Sequence, residues 1–205
     1  MNGGSAVGAL FDISLPIAEG MAVWPGDPPP VQRWLRRLAD GDDLDLSQWT
    51  LGSHTGTHLD APSHFLAGAP DVEGLGLDPL VGPCLVVDVA AGGLPATDSR
   101  YQRLLLKHTP GVSAAMAEDL VARGVRLVGV DSLSVESAEA VETGAPTHRV
   151  LLAAGVAILE GLVLEAVPPG EYVLVALPLR LQHTEASPVR AILLRRQGRG
   201  RKRYW

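Results

Sequence analysis

The chain has 205 residues, 46% of them apolar and 20% charged, with six histidines, nine aromatic residues, one cysteine and a net charge of −6. That is enough apolar chain for one large domain with its own core, too apolar for a disordered protein and too regularly broken by Gly and Pro for a coiled coil. The lone Cys84 excludes an internal disulfide and a thiolate zinc site, so any metal must be held by imidazoles and carboxylates.

In chain order, residues 10–17 read as a short strand. Trp24-Pro25-Gly26-Asp27, followed by three more prolines at 28–30, can continue neither a helix nor an interior strand and reads as an ordered loop. Residues 48–53 are expected to form a strand running into a His-rich segment, residues 66–79 a Gly/Pro/Asp loop, and residues 84–89 a buried strand. Residues 113–123 have helical spacing with Gly124 at the stop position, and 125–130 form a strand ending at Asp131. Residues 147–154 read as a helix stopped by Gly155, 156–159 as a strand ending at Glu160, and 172–178 and 189–194 as the last strands. Strands with two or three interspersed helices predict an α/β domain with a mixed sheet, spanning residues 1–194.

Residues 195–205 hold six basic side chains and no acid, leaving the rest of the chain at a net −12. The terminus is expected to be a short, flexible, solvated basic tail, and the acidic body argues against a nucleic-acid groove. No apolar run approaches the ~18–20 residues of a membrane helix, and no basic-then-apolar start is present, so a cytoplasmic protein without membrane contact is expected.

Half of the histidines fall within Ser53-His54-Thr55-Gly56-Thr57-His58-Leu59-Asp60-Ala61-Pro62-Ser63-His64-Phe65. Positions 54, 58, 60 and 64 share one side of an extended segment. A straight strand, at ~3.3 Å per residue, would hold His54 and His58 about 13 Å apart, too far for one ion. The chain must therefore bend, and Gly56 permits the bend. A helical zinc-protease arrangement fails because Thr55 stands where the catalytic Glu belongs and Gly56 and Pro62 disfavour a helix. What remains is a bent strand or loop presenting two imidazoles and a carboxylate, a set suited to Zn²⁺ or Mn²⁺.

The segment resembles the hallmark H-x-G-x-H-x-D-x-P-x-H-[FY] of the metal-dependent cyclase-like amidohydrolases, and within them the bacterial kynurenine formamidases (arylformamidases). Further matches are Asp12-Ile13-Ser14, Val23-Trp24-Pro25-Gly26-Asp27, Gly82-Pro83-Cys84, residues 124–131, His148, Glu160, Leu177-Pro178-Leu179 and Ser187-Pro188-Val189-Arg190. The resemblance implies a swivelling β/β/α domain, assembled as a homodimer or larger. It implies that His54, His58 and Asp60 bind one ion, that Asp60 bridges to a second held by His148, and that Glu160 is shared. It further makes His64 the general acid/base and Trp24 the aromatic that contacts substrate.

The activity so implied is hydrolysis of N-formyl-L-kynurenine to L-kynurenine and formate in tryptophan degradation. Two Zn²⁺ ions per subunit would activate water and polarise the formyl oxygen, with Mn²⁺ as the other fitting metal. Ser132-Leu133 stands where these enzymes commonly carry Thr-Pro, and Gln182-His183-Thr184-Glu185-Ala186 replaces a Gly-containing turn. Both stretches bear on substrate choice, with His183 and Glu185 read as an exposed loop. The alternatives are a related cyclic amide or lactone hydrolase, such as one opening isatin, and a non-catalytic metal-binding protein of the same fold.

Overall fold

The computed structural model describes residues 9–90 and 101–195. In chain order its elements are β1 (Leu10–Asp12), β2 (Val31–Arg36), β3 (Leu46–Thr50), β4 (His58–Asp60), β5 (Val81–Asp88), β6 (Arg103–Lys107) and α1 (Ala114–Ala122). They continue with β7 (Leu127–Val130), α2 (Ala138–Glu142), α3 (Pro146–Ala153), β8 (Ala157–Glu160), β9 (Gly170–Pro178) and β10 (Ala186–Arg195). No helix among the described residues is long and apolar enough to cross a membrane.

Strands β5, β6, β7 and β8 pair in parallel. β4 joins β8 antiparallel, β10 joins β4, and β9 pairs with both β5 and β10, so the mixed sheet closes on itself into a barrel. β1 adds to the side of β10. The parallel strands are apolar on both faces because both are covered, and every residue of β6, β7 and β8 is buried. Alternate side chains sort between two cores. Leu105, Leu127 and Leu159 fill the barrel with Leu59, Leu174 and Leu193. Leu104, Leu106, Val128 and Ile158 pack outward with Leu120 of α1 and Leu151 of α3, each such burial being worth about 1.5–3 kcal/mol.

Helix α1 starts where the sequence places it, with Ser113 Oγ accepting from Met116 N at 3.2 Å. Helix α3 begins at Pro146, one residue before the expected start, and its strand neighbour β8 ends at Glu160 as read. The expected strand over 48–53 is corrected. β3 ends at Thr50, turns at Gly52, and pairs with β2 to make a separate two-stranded hairpin outside the barrel. Strand β2 (VQRWLR) carries no buried face and so no alternation to detect, β6 has only three apolar residues between Arg103 and Lys107, and α2 is only five residues long. Arg195 closes β10, and the rest of the expected basic tail lies outside the described residues.

Candidate metal centre

The bend expected at Gly56 is present, and the residues around it explain its geometry. Gly56 has φ 69° and Gly161, just after β8, has φ 67°. A Cβ on Gly161 would sit 2.7 Å from the Gly56 carbonyl oxygen, so the two backbones pass at a distance only glycine allows. Thr57 Oγ1 locks the crossing, donating to Gly161 O at 2.5 Å and accepting from Leu15 N at 2.8 Å. As a result the rings of His54 and His58 lie 4.9 Å apart, centroid to centroid, in place of the span of a straight strand.

Antiparallel pairing of β4 and β8 sets His58 directly opposite Glu160, and α3, packed on β8, brings in His148. Asp60 Oδ1 faces His54 Nδ1 at 3.1 Å and His58 Nε2 at 3.5 Å, while its Oδ2 faces His148 Nε2 at 3.6 Å. Glu160 faces His58 Nε2 and His148 Nε2, each at 3.3 Å. Its Oε1 also accepts from Val135 N at 2.6 Å. Three imidazoles and two carboxylates therefore alternate around one point, and all five residues expected as ligands are brought together.

The polarity of this cluster calls for a cation. Asp60 is fully buried, and neither of its oxygens has a hydrogen-bond partner; His54 Nε2 is likewise without one. A buried carboxylate without donors is costly unless positive charge compensates it. Burial opposes charge on His58, but hydrogen bonding to Glu160 and the charges of Asp60 and Glu160 outweigh it and push that imidazole up to about 9. The same balance of burial against Glu160 and Asp60 puts His148 at about 9. For Glu160, burial acts upward, but the hydrogen bonds and charge of His148 and His58 hold it well below the usual carboxylate range. Protons on His58 and His148 supply the compensation here, where a divalent cation would replace them.

His64 follows β4 on a 3-10 turn begun by Pro62, with its ring 4.3 Å from that of His54 and 5.9 Å from that of His148. Ligand atoms of His54, Asp60 and His64 lie within 4.8 Å of one another, as do those of His58, Asp60 and Glu160. Burial, with the nearby His54 and His148, lowers the His64 pKa despite Asp60 and Glu160, so its ring is neutral at neutral pH and able to accept a proton. Trp24, His54, His64, Phe65, Leu133 and Ser134 line one cleft, with His58, His148 and Glu160 also in its wall. Leu133, at the stretch that departs from Thr-Pro, thus borders the cleft as expected.

Two side chains at the site were missed or misread from sequence. Glu136 is buried and lies 2.5 Å from His148 Nδ1; only its acidic identity marks it, with no spacing to tie it to His148. Glu185 is not part of an exposed loop remote from the cluster: its Oε1 accepts from Ser53 Oγ at 2.5 Å and lies 3.5 Å from His54 Nε2. The β10–β4 pairing causes this, since Ala61 N donates to Glu185 O immediately beyond the paired residues. His183 does project to the surface, 3.8 Å from Asp71.

Residues 11–103 match the family model described as putative cyclase. Over 90% of the chain, it is 39% identical to a kynurenine formamidase of Salinibacter ruber and 36% identical to one of Bordetella avium, covering 97% of each. The chain belongs to the cyclase family that includes these enzymes. A solved structure described as a potential metal-dependent hydrolase with cyclase activity superposes with a TM-score of 0.76 at 32% identity, covering 93% of this chain and 99% of its own. Isatin hydrolase A from Labrenzia aggregata, at 20% identity, shares the fold with a TM-score of 0.77 over 92% of this chain and 94% of its own. The cyclase fold inferred from the motif is thus the fold observed, and membership in a family of hydrolases agrees with the site's chemistry.

Proposed function

We propose that the protein hydrolyses N-formyl-L-kynurenine to L-kynurenine and formate. The observation that carries the reading is the buried His54–His58–Asp60–His148–Glu160 cluster with its two unpartnered Asp60 oxygens, opening into a cleft bordered by Trp24. The names of the similar enzymes supply the substrate. In this reading His54, His58, Asp60, His148 and Glu160 would together hold two divalent ions, with Zn²⁺ and Mn²⁺ both fitting a His/carboxylate set. Bound there, such a cation lowers the pKa of water toward 7 and polarises the formyl carbonyl.

The remaining chemistry falls to the chain itself. His64, neutral and at the edge of the cluster, takes the proton of the attacking water. It returns that proton to the aniline nitrogen as the carbon–nitrogen bond breaks, releasing formate and the arylamine. Trp24, in a loop stiffened by prolines, presents an apolar face to the substrate ring, worth about 0.5–1.5 kcal/mol beyond burial. The test follows loss of N-formylkynurenine by purified protein with and without chelator, and isatin is run beside it because Leu133, where the Thr-Pro is replaced, lines the cleft. Chelator-sensitive turnover of N-formylkynurenine in preference to isatin is expected; preference for isatin would overturn the substrate assignment.

We also infer a homodimer in which the β2–β3 hairpin meets a second copy. A two-stranded hairpin is marginal alone, and this one exposes Trp34 and Trp49. Of its charges, Arg36 already pairs with Asp43 within the hairpin at 3.2 Å, so the exposed tryptophans are what a two-fold related copy would cover. Light scattering of the protein and of a Trp34→Ser/Trp49→Ser variant tests this, the variant being expected to run as a monomer.

A further inference from the structure

Two imidazoles of the cluster, His58 and His148, are not held alike at their outward nitrogens. His58 Nδ1 meets the neutral Gly56 carbonyl at 2.9 Å. His148 Nδ1 meets a charged group, Glu136 Oε1, at 2.5 Å. Glu136 stands just before α2 and is itself 4% exposed. The same carboxylate accepts from His148 N through Oε1 and from Thr147 N through Oε2, each at 3.1 Å.

These backbone contacts explain why Glu136 is there structurally. Helix α3 starts from Ala145, which offers no side-chain acceptor, and Pro146 has no N–H. The next two amides, of Thr147 and His148, would be orphaned in the interior without Glu136. A cap needs nothing from the imidazole, however. The ring contact has a separate consequence: donation from Nδ1 to Glu136 leaves the lone pair on Nε2, the nitrogen that faces Glu160 Oε1 and Asp60 Oδ2. A carboxylate behind an imidazole also makes the ring a stronger electron donor than a carbonyl does.

We propose that Glu136 is a positioning residue for the metal centre, acting through His148: it selects the His148 tautomer, aims Nε2 at Asp60 and Glu160, and raises the affinity of the cation bound there. This rests on the metal-centre reading above and adds a residue to it.

The experiment compares wild-type protein, Glu136→Gln and Glu136→Asp by Zn²⁺ titration against a chromophoric chelator, with melting curves of the chelator-treated proteins. Glu136→Gln keeps an acceptor at the helix start but removes the charge behind the ring, and Glu136→Asp keeps the charge but withdraws it by one methylene. Each is expected to lose about 10- to 100-fold in Zn²⁺ affinity, with melting of the metal-free protein little changed for at least one of them. Wild-type affinity in a folded variant would overturn the proposal and leave Glu136 a helix cap only. Should Glu136→Gln not fold, Glu136→Asp carries the same comparison. Failure of wild-type protein itself to bind Zn²⁺ would overturn the metal-centre reading, and this inference with it, a result distinct from equal affinities.

Discussion

Among the described residues, two groupings set histidine against more than one carboxylate at close range, and they differ in ways that distances alone do not reveal. At the ends of β5 and β6, His108 Nδ1 lies 3.2 Å from Asp88 and its Nε2 lies 3.1 Å from Glu165, as close as the contacts of the His54–Glu160 cluster. Yet the His108 side chain is 40% exposed and that of Glu165 86%, so water competes for every polar atom. In the buried cluster the side chains of His58, His148, Asp60 and Glu160 are at most 4% exposed, and neither Asp60 oxygen has a hydrogen-bond partner. The comparison teaches that ligand-type residues make a cation site when burial removes water as an alternative partner.

The largest test of that contrast is charge removal on each side. Asp60→Asn is expected to lower turnover of N-formylkynurenine by about 10³-fold or more and to strip bound metal, whereas Asp88→Asn leaves both within about twofold. Metal analysis with initial rates decides, and a large loss in Asp88→Asn would break the contrast. His64→Ala is expected to lower kcat by about 10²- to 10⁴-fold at unchanged metal content. Loss of metal along with activity would make His64 a ligand beside His54 and Asp60.

The pH dependence of stability sharpens the same contrast. With His58 and His148 raised to about 9 from the ordinary 6.5, their contribution in metal-free protein is complete below about pH 6.5 and is lost as pH rises through about 9. Glu160, lowered, contributes above its ordinary 4.5 and loses that contribution as pH falls. Chelator-treated protein should therefore melt at progressively lower temperature from about pH 6.5 to 9, and saturating Zn²⁺ should flatten the slope. The smallest effect belongs to the exposed grouping. His108 is raised by hydrogen bonds to Glu165 and Asp88 but is solvated, and His108→Gln should move Tm by about 2 °C or less and leave metal content intact.

Local pattern by itself determined the part of the site that local geometry builds. His54, His58 and Asp60 sit within seven residues, Gly56 supplies the bend that brings them together, and Ser113 and Gly124 mark the limits of α1. The apolar runs of β5, β7 and β8 were legible because strands buried on both faces need no alternation. The motif also named His148 and Glu160, but only tertiary structure decided how they meet the rest: Glu160 by pairing β8 against β4, His148 by docking α3 on the sheet. Glu136 had no sequence signal, and Glu185 was marked only by its departing turn, since their partners lie 12 and 131 residues away in the chain and no periodicity spans such gaps. The β2–β3 hairpin was hidden for a related reason: with neither face packed on the core, nothing imposed an alternating pattern on its residues. Sequence determines which groups a short segment can present, and long-range pairing decides which of them end up buried together without water, which is the condition a cation site requires.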